Sequence, residues 1–282
     1  MGAAKILDGK ALAAEIRSEV AVGVRELKEQ GRKVRLDVIL VGENPASATY
    51  VRLKERDCAE VGIESRVHRF TEEAEQEEVA DLVRRLNEEP AVSGFFVQTP
   101  VGNLDPLPLL GAIDPSKDVD GLTPLSAGRL AIGLPSLLPC TPHGVIQMLR
   151  RSGVEISGKE AVVVGRSNLV GKPLAQLLLR ENATVTVCHS RTERLPEVTR
   201  RADILVLAAG RRHMIGAEHV REGAVVVDVG TNPKEGGGLT GDVKFEEVEP
   251  KVSAISPVPG GVGPMTRAML LYNALRAARA TV

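Results

Sequence analysis

Two spacings of apolar residues alternate along this chain. Within a charged stretch from Leu12 to about Lys28, Ile16, Val20, Val24 and Leu27 repeat at helical intervals, and Gly31 closes the run. Arg35–Val41 is then apolar nearly throughout, which predicts a strand covered on both faces. Gly42–Ser47 reads as a turn feeding a helix, with Ser47 as its N-cap and Gly62 as its stop. A strand over 65–70, a very acidic helix over 72–89 and a strand over 92–98 follow. In the second half a helix over 140–151 carries Pro142 in its first turn. Strands are predicted at 160–165, 184–188, 203–207 and 224–229, and a last helix opens at Pro264 and ends near Ala280. This alternation predicts an α/β protein with parallel-rich sheets covered by helices. The β-α-β-α-β rhythm of the second half is that of a mononucleotide-binding, doubly wound sheet. The 282 residues suit two domains.

Candidate chemistry falls at the joints of this pattern. Ala161–Pro173 runs from a strand through Gly165 into a helix with proline in its first turn, an arrangement that offers backbone N–H groups to phosphate. The spacing Gly165…Gly171 lacks the middle glycine of the dinucleotide fingerprint, so an ordinary strand–turn–helix is the alternative. After the second strand of this half, where NAD-binding domains usually carry an acid, the sequence reads Cys188-His-Ser-Arg-Thr192. Ser190, Arg191 and Arg166 suit a 2′-phosphate, which predicts NADP over NAD; solvated surface arginines are the bland reading.

In the first half, Tyr50, Leu53, Lys54, Cys58 and Val61 share one helix face. Lys54 on an apolar stripe would lose hydration and exchange protons nearer neutral pH, or it snorkels its charge into water. Gln98 ends a buried strand and points towards the usual ligand crevice of an α/β sheet, or it caps a loop. Thr99–Pro108 reads as a proline-rich loop. Asp118 and Asp120 lack further ligands at calcium-loop spacing, which leaves Asp120-Gly121 as a turn or Asp120 as a substrate carboxylate. Pro257–Thr266, with three glycines among its prolines, reads as a pocket-shaping loop.

Composition narrows the function classes. Thirty-six basic against 37 acidic residues leave no field for nucleic acid. Two Tyr, four Phe and no Trp make base-stacking platforms improbable. The scattered Cys58, Cys140 and Cys188 suit reduced thiols. The five histidines have no ligand pattern with acids or cysteines and read as surface or capping residues, so no metal is expected. No apolar run spans a bilayer, and Met1–Ile6 lacks an apolar signal segment. A cytoplasmic protein with no membrane partner is expected.

Seven runs together resemble the bifunctional methylenetetrahydrofolate dehydrogenase/methenyltetrahydrofolate cyclohydrolase family. They are Tyr50–Lys54, Val97-Gln98, Lys117–Gly121, Pro139–Pro142, Val164–Pro173, Ala183–Ser190 and Pro257–Thr266, in family order over nearly the whole chain. The resemblance implies an N-terminal folate-side domain (1–121) and a C-terminal Rossmann-type NADP domain (122–282). It also implies an active site in the cleft between them, a final helix (about 264–280) packed back on the first domain, and a homodimer. It makes Lys54 the catalytic acid/base, with Gln98 modulating it, Tyr50 stacking near the pterin and Asp120 binding the pterin. Val97, Pro259, Gly260 and Gly263 match positions that line the folate pocket, and Gly165, Arg166, Ser167, Ser190 and Thr231 match cofactor contacts. Tetrahydrofolate derivatives are then the substrates. The chain departs from the family at Thr99-Pro-Val-Gly102, Thr231, Arg211-Arg-His213 and Tyr272.

Tyr-x-x-x-Lys is also the catalytic pair of short-chain dehydrogenases, but there it follows the cofactor-binding strands, whereas here it precedes Gly165. A non-catalytic NADP-sensing protein would leave the lysine on the helix stripe unexplained.

Overall fold

The computed structural model describes residues 3–234 and 236–280. Met1 and Gly2, on which the reading of the amino terminus partly rests, lie outside them. The chain opens with β1 (Lys5–Ile6) and α1 (Gly9–Glu29), then alternates β2 (Arg35–Val41), α2 (Pro45–Val61), β3 (Glu64–Phe70), α3 (Gln76–Glu88) and β4 (Gly94–Gln98). Two short helices follow, α4 (Pro106–Gly111) and α5 (Pro124–Ala131), then α6 (Cys140–Arg151). The second series is β5 (Glu160–Val164), α7 (Gly171–Arg180), β6 (Thr184–Cys188), α8 (Leu195–Thr199), β7 (Ile204–Leu207) and β8 (Val225–Asp228). A hairpin of β9 (Asn232–Pro233) and β10 (Leu239–Thr240), then α9 (Phe245–Val248), β11 (Ala254–Ile255) and α10 (Val262–Ala280) complete it.

The chain divides into two compact units. The first is Ala14–Cys140 with the chain from Arg267 on; the second is the chain as far as Ala13 with Thr141–Thr266. The expected boundary after residue 121 moves to Cys140, the final helix from Arg267 groups with the first unit, and the opening residues group with the second. The opening residues join the second unit because Lys5 and Ile6 pair in parallel with Ala254 and Ile255. Residues 122–140 stay with the first, where buried Asn273 of α10 holds the Val119 and Leu138 carbonyls.

The first unit carries a parallel sheet in the order β3-β2-β4. All seven residues of β2 are buried, as a central strand covered on both faces requires. One of them is Asp37, gripped by Arg35 at 2.7 Å through two nitrogens and by His68 Nε2 at 2.7 Å, so this buried charge is paired. His68 thus has an acid partner, and His143 is buried, contrary to the surface reading of both. Among the described residues no acid, histidine or cysteine cluster is arranged to hold a metal.

Local chemistry moves several boundaries. α2 begins at Pro45, and its cap is Asn44, whose Oδ1 accepts the Ser47 amide at 3.1 Å; Ser47 itself is buried. The loop expected over 99–108 ends earlier, because Asp105 accepts the Leu107 amide at 3.0 Å and prolines occupy the first turn of α4. α7 starts at Gly171 and α10 at Val262, each two residues before the proline expected to open it.

The second unit carries a six-stranded sheet in the order β1-β11-β8-β7-β5-β6, parallel throughout. The chain steps from β5 outward to β6 and then returns to β7 on the other side of β5. That reversal makes the carboxyl ends of β5 and β7 a topological switch point, the usual ligand crevice of such sheets. β1 and β11, two residues each, have no sequence period to announce them.

Candidate active site

Period-two alternation along β4 decides which side chains reach the chemistry of the first unit. Phe95 and Val97 point into the apolar core with Val79, Leu82 and Val83. Val97 is 3% exposed, so its side chain belongs to the core and only its backbone is offered to a ligand. Phe96 and Gln98 occupy the opposite face, where Lys54 of α2 meets both. Its Nζ donates to Gln98 Oε1 at 3.1 Å and lies 3.9 Å from the centre of the Phe96 ring. The Gln98 amide nitrogen donates to the Thr99 carbonyl at 2.9 Å, which fixes the oxygen towards the lysine. The half-buried ammonium therefore has a carbonyl-type acceptor and an aromatic face, a contact worth about 0.5–2 kcal/mol. Phe96 escapes the sequence reading, although its place two residues before Gln98 puts it on the same face.

The stripe on α2 is set differently from the expectation. Ser47, Val51, Cys58 and Val61 are buried and Lys54 half-buried, at spacings of four, three, four and three. Tyr50 is 43% exposed, one turn before Lys54, with its ring free of the core.

Asp118 and Asp120 separate cleanly. Asp118 is buried, and its oxygens accept the amides of Gly121, Leu122 and Thr123 at 2.9, 3.2 and 2.9 Å, so it builds the turn. Asp120 emerges half-buried from that turn. Gly121 has φ +69°, and a Cβ there would lie 2.5 Å from the Leu138 carbonyl carbon, so only glycine fits. Burial pushes the Asp120 carboxyl up, while the Lys54 ammonium and a hydrogen bond with Cys140 pull it down. Burial and the charge of Asp120 push the Cys140 thiol well up. Lys54, Gln98, Phe96, Asp120 and Cys140 thus form one electrostatically linked group.

In the second unit, Gly165 has φ +135°, and a Cβ on it would lie 2.2 Å from the Ala208 carbonyl oxygen. A Cβ on Gly171 would lie 2.1 Å from the Gly165 oxygen. The two glycines let the turn, the start of α7 and the end of β7 close on one another at the switch point. The helix start is less open than expected: Ser167 Oγ accepts the Val170 and Gly171 amides at 3.1 and 3.4 Å, and its carbonyl accepts Lys172 N–H at 3.1 Å. The exposed Arg166-Ser167-Asn168 loop is left as the face a ligand can reach. Val164 pairs with Cys188, so Arg166 and Ser190 each lie two residues beyond a matched pair on adjacent strands. Ser190, Arg191 and Thr231 are exposed as well. No acid stands among His189–Thr192 directly after β6, and this donor set fits an anionic 2′ substituent.

Beyond β7 and β8 two buried carboxylates interlock the loops. Asp242 accepts the amides of Ala209, Gly210 and Arg211 at 2.8, 3.0 and 2.8 Å and the Asn232 side chain at 2.9 Å. Asp228 accepts those of Gly230, Asp242 and Val243 at 2.8, 3.0 and 2.8 Å. Burial pushes Asp228 up to about 6, against the three hydrogen bonds. In the 257–266 segment, whose last residues open α10, Pro259 and Gly263 are exposed and Gly260 buried; a Cβ on Gly263 would meet nothing within 4 Å. The structure thus gathers Lys54, Gln98 and Asp120, while Tyr50 stands apart on the exposed side of α2.

Comparison with known proteins agrees with both halves. The Bifunctional protein FolD 1 of Rubrobacter xylanophilus is 73% identical over 277 residues, covering 98% of each chain. The crystal structure of the bifunctional enzyme FolD, a methylenetetrahydrofolate dehydrogenase/cyclohydrolase from Campylobacter jejuni, superposes with a TM-score of 0.98 at 46% identity, covering 99% of this chain and 100% of that one. The Trypanosoma brucei N5,N10-methylenetetrahydrofolate dehydrogenase-cyclohydrolase, crystallised with NADP cofactor and inhibitor, gives 0.94 at 40% identity over 99% of each chain. Residues 7–120 match the model of the tetrahydrofolate dehydrogenase/cyclohydrolase catalytic domain and residues 139–282 that of its NAD(P)-binding domain. The chain belongs to the tetrahydrofolate dehydrogenase/cyclohydrolase family.

Proposed function

We propose that Lys54 is the proton-handling residue of this enzyme, that Gln98 orients it, and that Asp120 binds the pterin. The chain is a bifunctional NADP-dependent methylenetetrahydrofolate dehydrogenase and methenyltetrahydrofolate cyclohydrolase of one-carbon folate metabolism. The observation that supports the residue assignment is the Lys54–Gln98 hydrogen bond over Phe96, with the Asp120 carboxyl inside the same electrostatic field.

Bound NADP supplies the hydride acceptor for oxidation of the methylene bridge. That oxidation leaves a cation delocalised over two nitrogens and asks no protein group for a proton. The hydrolysis does. Water adds to the methenyl carbon and loses a proton, and the ring nitrogen that departs must gain one. The added water gives up its second proton as its oxygen becomes the formyl carbonyl; Lys54, anchored by Gln98, delivers one proton to the departing nitrogen, so 10-formyl-tetrahydrofolate forms with net release of one proton. The rising cost of ionising Asp120 suits a carboxyl that shares a proton with the pterin's amino-pyrimidine edge. Tyr50, exposed one turn before Lys54, offers its ring to the pterin face. Val97 is proposed to meet the folate through its backbone, and Pro259, Gly260 and Gly263 are proposed as further folate contacts.

Arg166, Ser167, Ser190 and Arg191 are assigned to the adenosine 2′-phosphate, with Gly165 and Thr231 approaching the cofactor through their backbones. Homodimeric assembly in the cytoplasm completes the reading; among the described residues no helix is long and apolar enough to cross a membrane. The test of the folate assignment is Asp120→Asn, assayed by NADPH absorbance with NADP and 5,10-methylene-tetrahydrofolate. A KM for folate raised tenfold or more, on the order expected for a lost charged hydrogen bond, supports the role; an unchanged KM removes it.

A further inference from the structure

The first unit mounts its two chemical side chains on different elements. Lys54 stands on α2, and Asp120 leaves the turn between α4 and α5. Both supports are fastened to one helix, α10. Arg267 Nε lies 3.0 Å from Asp57 Oδ2, one turn beyond Lys54, with the arginine side chain 16% and the aspartate 2% exposed. Asn273, fully buried, donates from Nδ2 to the Val119 carbonyl at 2.8 Å and to the Leu138 carbonyl at 2.8 Å. Val119 directly precedes Asp120, and Leu138 belongs to the segment against which Gly121 is packed. Asn273 therefore holds both sides of the backbone from which Asp120 emerges.

The setting makes these two polar residues costly. Around them α10 buries Ala268, Met269, Leu270, Leu271, Ala274 and Leu275. An asparagine and a guanidinium in such a face are retained against the packing advantage of an apolar side chain. Asn273 Oδ1 is buried with no hydrogen-bond partner, so the position keeps its amide for the two donated bonds.

We propose that Arg267 and Asn273 are positioning residues that set the Lys54 ammonium and the Asp120 carboxyl in register through α10 as their common mount. The proposal rests on the roles given above to Lys54 and Asp120. The folate ring is held at one end and protonated at another, so the spacing of these groups is a catalytic quantity, and a shift of about 1 Å costs on the order of 100-fold.

The experiment compares full-length Asn273→Ala, Arg267→Met, Arg267→Lys and the Asn273→Ala/Arg267→Met double variant, with Lys54→Met as control. Cyclohydrolase kcat and KM, its pH–rate profile, NADP dissociation constants and thermal unfolding are measured. The mount predicts that Asn273→Ala and Arg267→Met each lower cyclohydrolase kcat by about 10- to 100-fold, with a displaced pH profile. NADP affinity should stay within about twofold, because those contacts lie in the second unit. Arg267→Lys should recover most of the rate. The double variant should lose less than the product of the single losses, since either break frees the same geometry. Unchanged kcat in the folded variants overturns the mount, as does a loss confined to NADP affinity. Should Asn273→Ala not fold, the Arg267→Met and Arg267→Lys pair decides. Full cyclohydrolase activity in Lys54→Met refutes the reading beneath the proposal, while an inactive Lys54→Met beside unaffected Arg267 variants refutes the mount alone.

Discussion

Lys54 and Gln98, 44 residues apart in the chain, meet at 3.1 Å, and the amide is turned so that its oxygen faces the ammonium. The orientation is set by the amide nitrogen, which donates to the Thr99 carbonyl at 2.9 Å. A neutral acceptor orients the lysine without placing a charge beside it. Replacing it with a carboxylate would favour the charged form and hold the proton more tightly. Gln98→Glu is therefore expected to move the cyclohydrolase pH–rate profile to higher pH and to lower the rate at pH 7. A profile that stays in place would show that Gln98 does not act through Lys54.

Arg166 and Ser190 lie two residues past the paired Val164 and Cys188, on neighbouring strands with no acid between them. A charge-assisted contact to a 2′-phosphate contributes roughly 1.5–3 kcal/mol. Arg166→Ala is expected to weaken NADP binding about tenfold or more while leaving the weaker NAD binding unchanged. Equal loss for both cofactors would assign Arg166 to a phosphate they share.

Asp228 gives the second unit a predictable dependence on acid. In the unfolded chain this carboxyl ionises at the ordinary 3.8, whereas burial raises it to about 6 in the fold. Between those values the folded protein keeps a proton that the unfolded chain has lost. The group's contribution to stability is thus present in acid and declines as pH rises through about 6. Set against Asp228→Asn, which cannot titrate, the advantage of the native aspartate should be greater at pH 5 than at pH 8 by about 1.4 kcal/mol. Denaturant unfolding of both proteins at the two pH values measures it, and a pH-independent difference would contradict the assignment.

The fold was legible where one strand or helix carries its own pattern. β2 matches its apolar run from Arg35 to Val41, and β6 its run from Thr184 to Cys188. Lys54, Gln98 and Asp120 were legible as candidates because each is a polar residue at a place where the pattern asks for something else. What the pattern hides is pairing across long distances. Two-residue β1 has no period, yet it joins the amino-terminal chain to the second unit. The Asp228–Asp242 interlock and the grip of Asn273 on Val119 depend on backbone groups, which no side-chain spacing encodes. The apolar pattern counts the ring of Tyr50 and so puts it on the buried stripe, while Ser47 and Val51 set the true phase of the helix.

The proposed roles route the protons of the hydrolysis through Lys54 and leave the cofactor to other residues. Lys54→Met keeps an unbranched apolar stem out to Cε, with sulfur in place of Cδ, and removes the ammonium. Initial rates of methenyl-tetrahydrofolate hydrolysis, measured beside NADP binding on the same preparation, test the claim most directly. Hydrolysis should fall at least about 100-fold, within the range that general acid–base catalysis contributes, with the NADP dissociation constant unchanged. Hydrolysis at the native rate by a folded, NADP-binding Lys54→Met protein would contradict it.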